Sequence, residues 1–279
     1  MCLCAPFSAK TQAVAVPAVT DSLLDAGRYD DAALVLERLL FQNPADTVRY
    51  RVALQLARCY TLQEEYTLAE QVLAGNLSPG KDTAAQYGLH LQRCLVALLQ
   101  RNYEECLMYL SRVKNIYPDS AGVADVTGLT ILALNGKAAW QEARKVYTGF
   151  VHRFSQPADT AVYLQAYNRI PTLKSEAKAE ALATIPLAAA GLWYAGRPGE
   201  AILNTLLQAG FLYFGLNRIL AKEYITGALV GVGLYASFYT GGKKRAIKLV
   251  HDRNRSAADV FNNQVRQYVL AILAAQRNG

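Results

Sequence analysis

Along the first 160 residues apolar side chains recur at spacings of three, four and seven, the pattern of helices that bury one face. The pattern itself repeats. Tyr29, Tyr66, Tyr103 and Trp140 are each 37 residues from the next. Three positions after each aromatic stands a small residue, Ala32, Ala69, Cys106 and Ala143, and seven after it a large one, Leu36, Leu73, Leu110 and Tyr147. Nine before it stand Thr20, Ala57, Cys94 and Ile131, and six before it Leu23, Tyr60, Ala97 and Leu134. Each aromatic is therefore predicted to open the second helix of a pair, with the earlier positions forming the matching face of the first helix. Pro44 and Pro118 fall where the second helices of the first and third units should stop. Four such units are expected over residues 16–157, and a linker helix over 158–180.

Beyond residue 180 the pattern changes from one apolar stripe to apolar all round. Ala181 to Gly196, Ala201 to Leu216 and Tyr224 to Gly242 carry no charged side chain. Their length and the Gly227/Gly231 spacing predict a membrane region over 181–242 with two or three crossings, three being preferred. A chain that buries these helices in its own core is the alternative. Asn204, Gln208 and Asn217 interrupt the region and are expected to hydrogen-bond between helices, or to line a pathway.

Charge sharpens this reading. The formal net charge is +7, and from Gly241 to Gly279 eight Lys and Arg stand against two Asp. A basic block directly after an apolar stretch points to membrane orientation and away from a nucleic-acid footprint, which places the tail 243–279 in the cytoplasm. The tail carries Val260, Phe261, Val265, Tyr268, Val269 and Ile272 on one helical face. Ala13-Val14-Ala15 resembles the end of a secretory signal lacking its basic start, so residues 1–15 are read as a possible signal-peptide remnant, with a plain disordered N-terminus as the alternative. Export by that signal would place the repeats outside the cytoplasm.

Candidate chemistry is sparse. Cys2, Cys4, Cys59, Cys94 and Cys106 show no metal-ligand spacing, and Cys94 and Cys106 occupy repeat positions where small side chains let helices approach. His90, His152 and His251 are isolated, and no phosphate-binding loop or nucleophile elbow is present. No catalytic residue, cofactor or metal site is assigned, and the chain is not expected to be an enzyme.

The strings GRYDDAALVLERLLFQNP and RNYEECLMYLSRVKNIYP resemble the tetratricopeptide repeat. The resemblance covers residues 16–157, departs in a fourth unit without a closing Pro, and implies an all-α helical-repeat solenoid that recognises a protein or peptide. A second resemblance covers about residues 173–254. Lys174, Ser175, Gly191, Tyr194, Gly196 and Gly199, with Ser237, Tyr239 and Gly241, look like a small membrane module that follows such repeats in bacterial envelope proteins. Together they imply a membrane-anchored interaction scaffold in envelope assembly or biogenesis, with a protein or peptide ligand and membrane lipids as partners, no nucleic acid, repeats in the periplasm and an inner-membrane anchor. The alternative is a small transport or lipid-contacting module with regulatory repeats.

Overall fold

The computed structural model describes residues 18–42, 46–77, 83–117, 122–186 and 189–278. Every regular element among them is helical. The chain divides into two compact units, one of residues 1–169 with 264–279 and one of residues 170–263.

The first unit holds four helix pairs: α1 (Ala18–Asp25) with α2 (Tyr29–Phe41), α3 (Asp46–Leu62) with α4 (Tyr66–Asn76), α5 (Thr83–Leu99) with α6 (Tyr103–Ile116), and α7 (Val123–Gly136) with α8 (Trp140–Phe154). Each second helix begins on the periodic aromatic. The turn before it is also periodic, and glycine does not reveal it. Gly27, Glu64, Arg101 and Ala138 take φ of 71°, 63°, 62° and 61°, one left-handed residue every 37 positions, although only the first is glycine. In each turn the left-handed residue donates its amide three residues back and the next residue donates five back: Arg28 to Leu23, Glu65 to Tyr60, Asn102 to Ala97 and Ala139 to Leu134, at 2.9 Å in every case. These bonds satisfy carbonyls that the end of the first helix would otherwise strand.

Packing follows the small residues. Ala32, Ala69, Cys106 and Ala143, three after each aromatic, have no exposed surface, and neither do Thr20, Ala57, Cys94 and Ile131 on the first helices. First helices also stack on one another, α3 on α5 and α5 on α7, so the clusters around Leu36, Leu73 and Leu110 continue from pair to pair. Pro44, Pro118 and residues 1–15 lie outside the described residues.

After α8 come a short helix α9 (Thr160–Leu164) and a 3-10 turn over Gln165–Arg169. The Tyr167 hydroxyl donates to Asn135 Oδ1 at 2.8 Å and its ring lies 4.9 Å from that of Tyr147. The chain's last helix then returns to this unit. On the segment after residue 263 Val265, Val269 and Ile272 are buried, and the Tyr268 ring lies 5.3 Å from that of Tyr163. A Cβ on Gly128 would stand 3.1 Å from Val269 and 3.2 Å from Leu273.

The second unit contains α10 (Glu176–Ala183), α11 (Ala190–Ala195), α12 (Pro198–Leu220), α13 (Tyr224–Thr226), a π-helical stretch over Gly227–Val232, and the start of α14 (Gly233–Asn278). Here the expectation from sequence is corrected. No helix among the described residues is long and apolar enough to cross a membrane. The first apolar segment breaks into α10 and α11 around Pro186. In the other two, amides, hydroxyls and glycines dilute the leucines: Asn204, Gln208 and Tyr213 in α12, and Gly227, Gly231, Gly233 and Tyr235 beyond it. The membrane helices proposed for 181–242 therefore fall, and so does the inner-membrane placement with periplasmic repeats and a cytoplasmic tail. The basic tail is no separate segment either, because α14 runs unbroken for 46 residues from the glycine-rich stretch through the basic block.

Close backbone contact joins α12 to the π-helical stretch, since a Cβ on Gly231 would stand 2.2 Å from the Gly215 Cα. The outer faces carry exposed apolar side chains. Leu206, Tyr213 and Leu220 are 64–80% exposed, and Ile225 and Leu229 71–77%.

An alanine at φ 61° carries a Cβ clash that glycine lacks, costing roughly 1 kcal/mol. Replacing Ala138 by Gly is expected to raise the thermal midpoint by about 2–4 °C, read by circular dichroism at 222 nm. A lowered midpoint would mean that the helix propensity of Ala138 outweighs the strain of its turn.

Candidate protein-docking site

The first helices of the pairs share a stripe whose register can be followed through the period. On α3 it consists of Arg51, Leu54, Gln55, Arg58 and Leu62, all partly exposed. On α5 the positions one period later include Leu91, Gln92 and Leu95, and all three are buried. Gln92 Nε2 donates to Thr61 Oγ1 at 3.2 Å, tying the two helices through a buried polar contact. On α7 the position of Leu54 and Leu91 is taken by Gly128, where the segment after residue 263 packs. There the missing side-chain bulk is replaced by the Val269 and Leu273 side chains.

The stripe's edge is polar. The Arg93 guanidinium sits 2.6 Å from Glu70 and 4.1 Å over the Tyr109 ring, and the Tyr109 hydroxyl donates to Glu105. This cluster joins α4, α5 and α6 and is only partly solvated, so its charge-assisted bonds are stronger than a surface pair. Tyr60 donates to Glu37 in the first two pairs. Its phenol is pushed up to about 12, by burial first and then by the bond to the carboxylate. On α3 the Gln55 Oε1 atom is buried and accepts no hydrogen bond, while its amide nitrogen reaches Asp21 at 3.5 Å. A buried acceptor without a donor is costly.

The eight repeat-defining residues are buried or partly buried. Ala32, Ala69, Cys106, Trp140 and Ala143 are buried, and Tyr29, Tyr66 and Tyr103 partly so. The Tyr103 ring lies where a Cβ on Gly136 would be, at 2.2 Å, so the third aromatic packs on the end of α7. They shape the scaffold; the stripe presents other side chains.

This is the geometry of stacked helix pairs with a periodic turn and a shared inner face. The tetratricopeptide repeat family matches residues 23–92. No curated protein and no solved structure matches the chain. The tetratricopeptide match spans α2 to most of α5, and the pairs opened by Tyr103 and Trp140 continue its period outside it. Repeats of this kind build protein-interaction scaffolds. Nothing in the comparisons supports the C-terminal membrane module or the envelope family.

The residues that carried that second resemblance have local roles in the second unit. Gly191 lets α11 meet α10, its Cβ position being 2.6 Å from Ala183. Gly196 ends α11 at φ 85°. The Tyr194 hydroxyl accepts from Ser175 N at 3.1 Å, and its ring faces Lys174 Nζ at 5.0 Å. Tyr239 donates to the Thr184 carbonyl at 3.0 Å. Gly199 and Gly241 have open space where a side chain would begin. Asn204 donates to the Phe238 carbonyl, which fastens α12 to α14, and accepts from Gln208 on its own helix.

Among the described residues no group of three or more His, Cys, Asp or Glu could hold a metal ion. Cys59, Cys94 and Cys106 are free, buried thiols. Burial raises all three, Cys59 to about 11 and Cys106 to about 12. His90 is lowered by burial and by Arg93 and Arg112 nearby. Sequence reasoning missed the docked terminal helix and the open Gln55 acceptor, since neither leaves a local pattern.

The raised thiols make stability depend on pH in one direction. An unfolded cysteine titrates near ~8.5, so the folded thiols keep their protons longer, and stabilisation present below that value is lost as pH climbs toward about 11 and 12. Thermal midpoints between pH 8 and 11 should fall more steeply for the wild type than for a Cys59→Ala, Cys106→Ala variant. Parallel curves would show that other groups govern the alkaline limit.

Proposed function

We propose that this chain is a protein-interaction scaffold whose repeat array docks a polypeptide segment along the α3 stripe. The observation that carries the reading is the contrast between equivalent positions. At Gly128 on α7 the array already holds a helix of the same chain, presented through Val269 and Leu273, while at Leu54 on α3 the stripe stays partly open. A surface that accepts one amphipathic helix at its end is suited to accept another along its length. The part-exposed residues of the stripe are Leu54, Gln55 and Leu62 with Arg51 and Arg58. That chemistry fits a segment with an apolar edge and acidic side chains.

The repeat-defining residues serve this role indirectly, by fixing the spacing of the stripes. An envelope-assembly role and a transport module both depended on membrane helices, so neither is carried forward. No cofactor and no nucleic-acid partner enters the reading, and the array acts by positioning what it binds.

A photo-crosslinking side chain at Gln55, on the stripe, and at Gln71, exposed on α4, separates this surface from the rest. A discrete adduct is expected from position 55 alone, reduced at least fivefold by Arg58→Glu with the helical signal unchanged. Equal adducts from both positions, or an adduct indifferent to Arg58→Glu, would move the docking surface elsewhere.

A further inference from the structure

Within the second unit, α11, α12 and α14 border an open cleft of about 410 Å³ that the docking role does not use. Its walls are Leu192, Leu203, Leu207 and Phe238. The size falls within the ~300–1,000 Å³ of small-molecule sites, and such sites combine apolar walls with a few placed polar groups. One side is formed by Gly241 and Gly242, adjacent glycines inside a 46-residue helix. Glycine in a helix interior is unfavourable by about 1 kcal/mol relative to alanine, so a pair of them needs a reason in packing. At Gly242 a Cβ would strike the Asn204 amide at 2.9 Å, whereas at Gly241 it would meet nothing within 4 Å and would point into open space. The first glycine admits Asn204, and the second keeps the cleft empty.

The mouth is charged. Arg245 donates through Nε and Nη2 to the Glu200 carboxylate at 3.0 and 3.2 Å, which leaves Nη1 for another acceptor. Arg197 also acts on Glu200 and Asp252 on Arg245, so the mouth carries charge of both signs, with Arg245 Nη1 as its donor. The polar atoms deeper in are already engaged, Asn204 with Phe238 and Gln208, and Ser237 with the Gly233 carbonyl. The interior thus offers apolar contact, and the rim offers a donor to an anion.

We propose that this cleft binds a single-chain amphiphile with a carboxylate head, the chain between Leu203, Leu207 and Phe238 and the carboxylate on Arg245. The remaining Arg245 donor selects the head group and the uncharged walls select the chain. Exposed leucines elsewhere on α12 attract amphiphiles without selecting the head group, and stoichiometry tells the two apart.

Isothermal titration of the full chain with decanoate, below micelle formation, is the test. Decanoate is expected to saturate at one per chain, at least tenfold tighter than decyltrimethylammonium. Gly241→Phe fills the cleft while improving helix propensity, and should weaken decanoate at least tenfold. Leu207→Trp repeats the blockade from the opposite wall, should either variant lose its helical signal. Glu200→Gln with Arg245→Met removes the ion pair without leaving one charge alone, and should erase the preference for the anion. Non-saturating uptake, several molecules per chain indifferent to both blocking variants, or equal affinity for the cation would each overturn the assignment.

Discussion

The repeat array depends on one backbone constraint, the left-handed residue that ends each first helix. With φ near 60–70° at Gly27, Glu64, Arg101 and Ala138, the same pair of backbone bonds closes every first helix. The second helix must then leave in the same direction each time and begin on the aromatic. That repetition makes the interhelical distance a constant of the chain, and a constant distance admits only small residues at Ala32, Ala69, Cys106 and Ala143. The stripe on the first helices inherits its spacing from the same turn. Three of the four turns place a residue with a Cβ where glycine is easier, so packing on both sides holds a conformation that local preference resists.

The period of 37 was legible because burial demands were met at each of its positions. Four residues on each face sufficed to place the helices, and the aromatic marked their starts. The turn was not legible, since Glu64, Arg101 and Ala138 carry no signal of a positive φ. Nor was the partner of the C-terminal helix: Val265, Val269 and Ile272 announce an apolar face without saying what covers it. The open acceptor on Gln55 needed the neighbours of α3 to be in place before it became visible.

The second unit misled for a physical reason. An absence of charge was taken for an excess of hydrophobicity, and the two differ by the amides, hydroxyls and glycines in between. Asn204 and Gln208 bond to each other and Asn204 to the Phe238 carbonyl, which joins α12 to α14 and lowers the hydropathy of α12. Gly215, Gly227 and Gly231 buy close approach at the expense of apolar surface. What remains is a helix pair with apolar outer faces and a cleft bounded by glycine.

The terminal helix has a consequence for how the molecule is made. Solenoids of stacked pairs fold from neighbour to neighbour, so most of such an array can consolidate as it leaves the ribosome. Here the face of α7 at Gly128 waits for Val269 and Leu273, more than a hundred residues downstream. At synthesis rates of ~5–20 residues per second that is a delay on the order of ten seconds, during which the last pair is assembled but uncovered. That face is thus covered late in synthesis, and a product cut short before Val269 would leave it open.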